Sequence, residues 1–149
     1  MATIQLPPDF TEFLQLLHKH GVEYLIVGGY AVGYYGYPRA TGDMDVWIAF
    51  NPENLQGLVA ALREFGFAVP EPAADFLQQG EFVGIGDQPL RIEILTSISG
   101  VEFGECYAAR TAAQIGELEV NFIGLQQLKI NKQASGRFKD LNDISNLPD

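Results

Sequence analysis

Residues Leu25–Val46 read LIVGGYAVGYYGYPRATGDMDV, and this stretch decides the fold. Tyr24–Val27 has the composition of a short buried strand. It runs directly into Gly28-Gly29, and the small and aromatic residues Tyr30–Tyr35 then give one or two helical turns before Gly36-Tyr37-Pro38 breaks them. A strand that ends in two glycines and turns into a helix brings backbone N–H groups close to any anion seated there, and the start of a helix favours negative charge. From Asp43 to Phe50 the sequence alternates: Met44, Val46, Ile48 and Phe50 point one way, and Asp43, Asp45, Trp47 and Ala49 the other. Asp43 and Asp45 lie two apart, so both carboxylates leave the same face. Side by side they repel, and a divalent metal with oxygen ligands offsets that best.

The flanking elements follow from the same kind of reading. Upstream, Pro7-Pro8 blocks any earlier helix, Asp9 and Glu12 have capping-box spacing, and Phe10, Phe13, Leu14 and Leu17 form one helical face that Gly21 ends. Downstream, Asn51-Pro52 is an N-cap followed by a first-turn proline, and Leu55, Leu58, Val59, Leu62 and Phe65 make an apolar stripe closed by Gly66. Phe67–Val69 reads as a short edge strand and Ala73–Gln79 as a short helix. Glu81–Ile85 and Leu90–Leu95 read as a hairpin around Gly86-Asp87-Gln88-Pro89. Val101–Arg110 is expected as a helix and Leu118–Ile123 as a strand. Leu125–Ala134 and Arg137–Leu147 are expected as two final helices separated by Ser135-Gly136. Mixed helices and strands with a hairpin imply an α+β (mixed α/β) fold, a central mixed sheet with helices packed on it.

Composition narrows the function. The 149 residues are expected to form one domain, 1–149, and suffice for a real core. Hydrophobic residues make up 47% and charged residues 19%, which excludes wholesale disorder and low complexity. The formal net charge is −10, ill suited to gripping a long phosphate backbone but suited to a metal-dependent site or a basic protein partner. Cys106 stands alone, so an intrachain disulfide scaffold is excluded. The start has neither a basic n-region nor an apolar h-region, and no apolar run reaches membrane-spanning length. The expectation is a soluble cytoplasmic protein with no membrane partner.

A third acid completes the candidate site. Leu90-Arg91-Ile92-Glu93-Ile94-Leu95 repeats the alternation, with Ile92 and Ile94 inward and Glu93 opposite. If that strand lies beside Asp43–Phe50, Glu93 joins the two aspartates. Three converging carboxylates next to a phosphate cradle make the layout of two-metal phosphoryl or nucleotidyl transfer. Glu93 also has a simpler reading, as a partner of Arg91 on the same face. Arg39 and Thr41 are candidates to hold phosphates. Lys129, Lys132, Arg137 and Lys139 are four of only nine basic residues and gather near one end. They read either as a solvated helix face or as contacts to a triphosphate or acceptor. Asp140 and Asp143 read as helix-terminal or paired acids rather than ligands.

These residues together resemble the nucleotidyltransferase superfamily with the DNA polymerase beta-like core, in its minimal bacterial form. The resemblance rests on Val27-Gly28-Gly29, thirteen intervening residues, Asp43-Met44-Asp45, and Glu93 between Ile92 and Ile94. The run Arg39 to Asp45 and the tail, Leu128-Lys129 with Arg137-Phe138-Lys139-Asp140 through Asp143, resemble small members linked to abortive infection and toxin–antitoxin systems. The resemblance implies an enzyme that moves a nucleoside monophosphate from an NTP, such as ATP, to an acceptor hydroxyl with two Mg²⁺ (or Mn²⁺), releasing pyrophosphate. Asp43, Asp45 and Glu93 would be catalytic and metal-binding, and Gly28, Gly29, Arg39, Thr41 and Lys129 nucleotide-binding. Thr41 would stand in for the serine that commonly follows the first glycine. An RNA 3′ end is one eligible acceptor.

The competing expectation is a nucleotidyltransferase-fold subunit of antitoxin type, acting through a basic, toxin-like protein partner or as a homodimer. His18 and His20 are i, i+2 on a helix and do not share a face, which argues against a metal pair. No GxxxxGK[ST] or HExxH run occurs, so a P-loop and a zincin are excluded.

Overall fold

The computed structural model describes residues 5–37, 42–87 and 90–149. In chain order its elements are α1 (Pro8–Lys19), β1 (Tyr24–Val27), α2 (Gly28–Tyr34), β2 (Asp43–Ile48), α3 (Pro52–Phe65), a 3-10 turn (Ala73–Asp75), β3 (Phe82–Ile85), β4 (Arg91–Leu95), α4 (Phe103–Ala108), β5 (Thr111–Ile115), β6 (Leu118–Phe122), α5 (Leu125–Ser135) and α6 (Phe138–Asn146). The described strands form one sheet in the order β3-β4-β2-β1-β6-β5. β2 runs antiparallel to β1 and parallel to β4, β1 runs parallel to β6, and β3–β4 and β5–β6 are antiparallel hairpins. This is the α+β mixed sheet with packed helices that the residue pattern implies.

β2 is the centre of the molecule, and its burial shows why. Met44, Val46 and Ile48 are fully buried on one face, while Trp47 is buried on the face that also carries Asp43 and Asp45. A strand covered on both sides needs helices on both sides. Phe103 of α4 meets the Trp47 ring edge-on at 5.1 Å. α1 and α3 pack against each other, with Phe13 and Phe65 edge to face at 5.3 Å. Only the Asp43 and Asp45 end of the strand is left half-buried.

Several elements differ from the sequence reading, each for a local reason. α1 begins one residue before Asp9, because Pro8 at the first helical position already fixes φ; Asp9 lies in the first turn, and no side chain caps the helix. α2 starts at Gly28, not Tyr30. Phe67–Val69 is not a strand: the Phe67 N–H is committed to the Leu62 carbonyl at 2.9 Å, closing α3 over the left-handed Gly66. The helix expected over Ala73–Gln79 shrinks to a 3-10 turn, and the one over Val101–Arg110 to α4. β5 was not anticipated; Thr111-Ala-Ala-Gln-Ile115 lacks the β-branched alternation that marks a strand, and pairing with β6 alone defines it. α3 begins as expected, with the Asn51 side chain accepting the Asn54 N–H at 2.9 Å. Among the described residues, no helix is long and apolar enough to cross a membrane.

Candidate active site

β1, β2 and β4 bring the candidate acids together through register. Val27 lies opposite Asp45, Asp45 opposite Glu93, and Asp43 opposite Arg91. Directly paired residues share a face, so Asp43, Asp45 and Glu93 project to the same side of the adjacent strands β2 and β4. Gly28 follows immediately, with φ +66°. A Cβ there would run into the Asp45 carboxylate, so both the left-handed turn and the close approach require glycine. The double-glycine turn therefore packs its backbone against Asp45 itself.

Burial and the neighbouring charges of Glu93 and Asp43 push the Asp45 carboxyl up from 3.8 to about 6, while Lys132 and Lys139 pull the other way. The site thus carries an excess of negative charge at its floor. Arg91 relieves part of it. Gly84, opposite Glu93 on β3, leaves the space in which the Arg91 guanidinium lies, and its Nη2 reaches Glu93 Oε1 at 3.8 Å. Among the described residues, no three His, Cys, Asp or Glu side chains are gathered so as to enclose a metal ion by themselves. The expected convergence of the three acids is thus a shared face and a shared field, not a closed protein cage, with Glu93 drawn towards Arg91.

Asp45, but neither Asp43 nor Glu93, borders a cavity of about 210 Å³. Gly28, Gly29 and Asp45 line it together with the cations Lys132, Arg137 and Lys139 and the acid Asp140. Leu95 and Ile98 supply its apolar side. Lys129, expected as the nucleotide contact, does not line it. The helical period explains the difference: Leu128 is buried against the core and Lys132, four residues on, shares its side, whereas Lys129 is turned about 100° away. The sequence signal was therefore the i, i+4 pair, not the first lysine after an apolar residue. Arg39 and Thr41 lie outside the described residues.

Lys132 and Arg137 are anchored by buried acids. Lys132, whose side chain is 5% exposed, places Nζ 3.3 Å from Asp140 Oδ1 and 3.1 Å from Asp143 Oδ2, and these two acids are 0% and 1% exposed. Arg137 donates from Nε to Asp140 Oδ2 at 2.7 Å and from Nη2 to Asp140 Oδ1 at 3.2 Å. The Asp140 bond holds the Arg137 guanidinium above its usual range. Burial alone would raise the Asp140 carboxyl, but the bonds from Arg137 and Lys132 outweigh it and hold it below the ordinary value. The reading of Asp140 and Asp143 as paired acids matches this geometry.

No family model and no curated protein matches the chain. Two solved structures are similar across nearly its whole length. One is the Thermotoga maritima protein TM1012, provisionally named a nucleotidyltransferase, with TM-score 0.59 and 12% identity over 95% of this chain and 91% of that one. The other is the lincosamide antibiotic adenylyltransferase LnuA, solved with lincomycin bound, with TM-score 0.61 and 13% identity over 98% and 97%. The chain has the nucleotidyltransferase fold.

Proposed function

We propose that this protein is a metal-dependent nucleotidyltransferase that transfers a nucleoside monophosphate from an NTP to an acceptor hydroxyl. The observation that carries the reading is the pairing of Asp45, held against Gly28 and beside Asp43 and Glu93, with a small cavity also lined by Lys132, Arg137 and Lys139. Typical pockets for drug-sized ligands run from about 300 to 1,000 Å³. At about 210 Å³ this one suits the polyphosphate end of a nucleotide, with the nucleoside at its rim.

The charges also argue for a cation. Lys132 and Arg137 are partly neutralised by Asp140 and Asp143, and Asp45, with the charges of Asp43 and Glu93 near it, shares the cavity with them. A polyanion entering such a site needs additional positive charge. Mg²⁺ is commonly bound by one or two carboxylates together with substrate phosphates, and Asp43 and Asp45 supply that donor set without a third protein ligand. Two bound divalent cations would neutralise the phosphates and lower the pKa of the acceptor hydroxyl.

The chain's own groups do the rest. Lys132, Arg137 and Lys139 hold phosphoryl oxygens, and the Gly28 and Gly29 backbone fits closely against the chain of phosphates. The acceptor oxygen attacks the α-phosphorus, the bond to the bridging oxygen breaks, and pyrophosphate leaves. Glu93, on the strand beside Asp45, would take the acceptor proton, or would add a ligand if a second cation bound there. The two solved relatives, one an antibiotic adenylyltransferase by name, support transfer in general and leave the acceptor open.

The test is incubation of the protein with each α-labelled NTP, Mg²⁺ or Mn²⁺ and a cell extract. Label should appear on an acceptor. Changes to groups that merely support a metal ligand cost about 10–100-fold, so Asp43→Ala and Asp45→Ala should each lose more than 100-fold. Equal labelling by parent and both variants would remove these acids from the mechanism.

A further inference from the structure

Three charged side chains that are almost fully buried, Lys132, Asp140 and Asp143, meet at the edge of the cavity, which Lys132 and Asp140 line, and stability does not explain them well. A buried ion pair is often replaceable by apolar residues with no loss of stability, because desolvation cancels the attraction. The donor count shows what the arrangement does instead. An ammonium has three N–H donors; Lys132 directs two at Asp140 and Asp143, which leaves one. A guanidinium has five; Arg137 gives two to Asp140 and keeps three. Both residues line the cavity that Asp45 and Gly28 face.

We infer that Asp140 is a positioning residue: through one buried carboxylate it fixes both Lys132 and Arg137 so that their remaining donors converge on the phosphates of the substrate. The inference rests on the proposed nucleotidyl transfer and assigns that site a second layer. Asp140 can do this because its own position is fixed. It is the third residue of α6, and its Oδ2 also accepts the Arg137 backbone N–H at 3.3 Å, so the carboxylate is tied to the helix start. Asp143, one turn further along α6, holds Lys132 from the other side. Together they tie α5 to α6 at the point where both helices contribute a cation. Arg137 is otherwise a long side chain, 61% exposed; Asp140 alone bonds its guanidinium at two points, while Asp45 and Asp143 add longer-range attraction. Holding it in advance removes much of the ordering cost that a free arginine would meet on binding phosphate.

The test uses inorganic tripolyphosphate and NTPs as ligands, each with Mg²⁺, and Mn²⁺ alone as a probe of the acids. Arg137→Lys keeps the charge and, lying at an exposed position, leaves the fold intact, but it loses the two-point bond to Asp140. It should bind tripolyphosphate and NTP at least tenfold more weakly while Mn²⁺ affinity stays within twofold. Asp140→Asn keeps the shape and should do the same, raising KM for NTP by more than it lowers kcat. Because the acid acts through the arginine, Asp140→Asn should cost markedly less in the Arg137→Lys background than in the parent. Additive losses in that cycle, or an Arg137→Lys protein that binds tripolyphosphate like the parent, overturn the inference. So does an Asp140→Asn protein that melts lower yet binds normally when folded, which is the signature of a purely structural acid. A parent protein that binds neither tripolyphosphate nor NTP overturns the proposed function itself, and this inference with it.

Discussion

Asp45 shows how one residue can be costly to the fold and useful to the site. Its raised pKa means that the folded state, without metal, binds a proton there more tightly than the unfolded chain does. By linkage, that contribution to stability is complete below about 3.8 and is lost as pH rises through about 6. At about 1.4 kcal/mol per unit, the charged carboxylate costs the apo protein on the order of 3 kcal/mol. Melting curves in chelator should therefore show the Asp45→Asn variant gaining on the parent as pH rises from 4 to about 6, with a flat difference above pH 7. The variant should at the same time lose most of the stabilisation by Mg²⁺ and nucleotide. A variant that tracks the parent at every pH would mean that Asp45 is an ordinary solvated acid. The glycine next to it is legible at the same scale: Gly28 stands out in the sequence, but only the structure shows that the atom it avoids is the Asp45 carboxylate.

Between elements, the fold depends on polar residues that periodicity does not reveal. Asn54 lies in the first turn of α3 and is buried. Its Oδ1 accepts the Glu23 N–H at 2.7 Å, and its Nδ2 donates to the Ala49 carbonyl at 2.7 Å and the Glu23 carbonyl at 3.1 Å. One side chain thus pins α3 to the residue entering β1 and the residue leaving β2, the ends of those strands away from the acids. Asn54→Ala leaves the Glu23 N–H and the Ala49 carbonyl without their partner, each worth about 1–3 kcal/mol when buried and unsatisfied, while the Glu23 carbonyl keeps the Ala49 N–H at 3.2 Å. Partial access to water reduces the sum, and a loss of about 2–4 kcal/mol in denaturant unfolding is expected. Nucleotide affinity of the folded protein should be unchanged, because the two ends of β2 are separate. Loss of affinity without loss of stability would mean that the strands transmit more than this geometry indicates. The apolar stripe of α3 does not include Asn54, and its role is visible only from its backbone partners in space.

For the whole molecule, the site should make itself felt as ligand-dependent stability. A ligand that binds only the folded chain adds RT ln(1 + [L]/Kd), about 2.7 kcal/mol at a hundredfold excess. At roughly 2–4 °C per kcal/mol, a domain near this size should melt several degrees higher with Mg²⁺ and NTP than with neither. Tripolyphosphate with Mg²⁺ should reproduce a large share of the shift, since the cavity is sized for phosphates. A shift with nucleoside but none with tripolyphosphate would place the ligand elsewhere on the surface. The net charge of −10 does not contradict a phosphate site, because the basic residues near the end of the chain are concentrated at it.

Much of the local structure is legible in the residue pattern. β1, the glycine turn, the alternating β2, the capped and glycine-terminated α3, the β3–β4 hairpin and the last two helices all follow from periodicity and from residues with special backbone preferences. The same alternation put Asp43 and Asp45 on one face and Glu93 opposite Ile92 and Ile94. These are short-range properties, set by which groups lie two, three or four residues apart. The tertiary structure alone decided what depends on distant pairing. It set β4 beside β2 in parallel, which makes Glu93 a neighbour of Asp45, and it defined β5 through β6 although only Thr111 and Ile115 of its five residues favour a strand. It also set Lys132, Arg137 and Lys139, but not Lys129, around the cavity and buried Asp140 and Asp143 against Lys132. The charge on a side chain is written in the sequence, but which opposite charge it meets, and how much water remains between them, is fixed only when α5 and α6 close over the sheet.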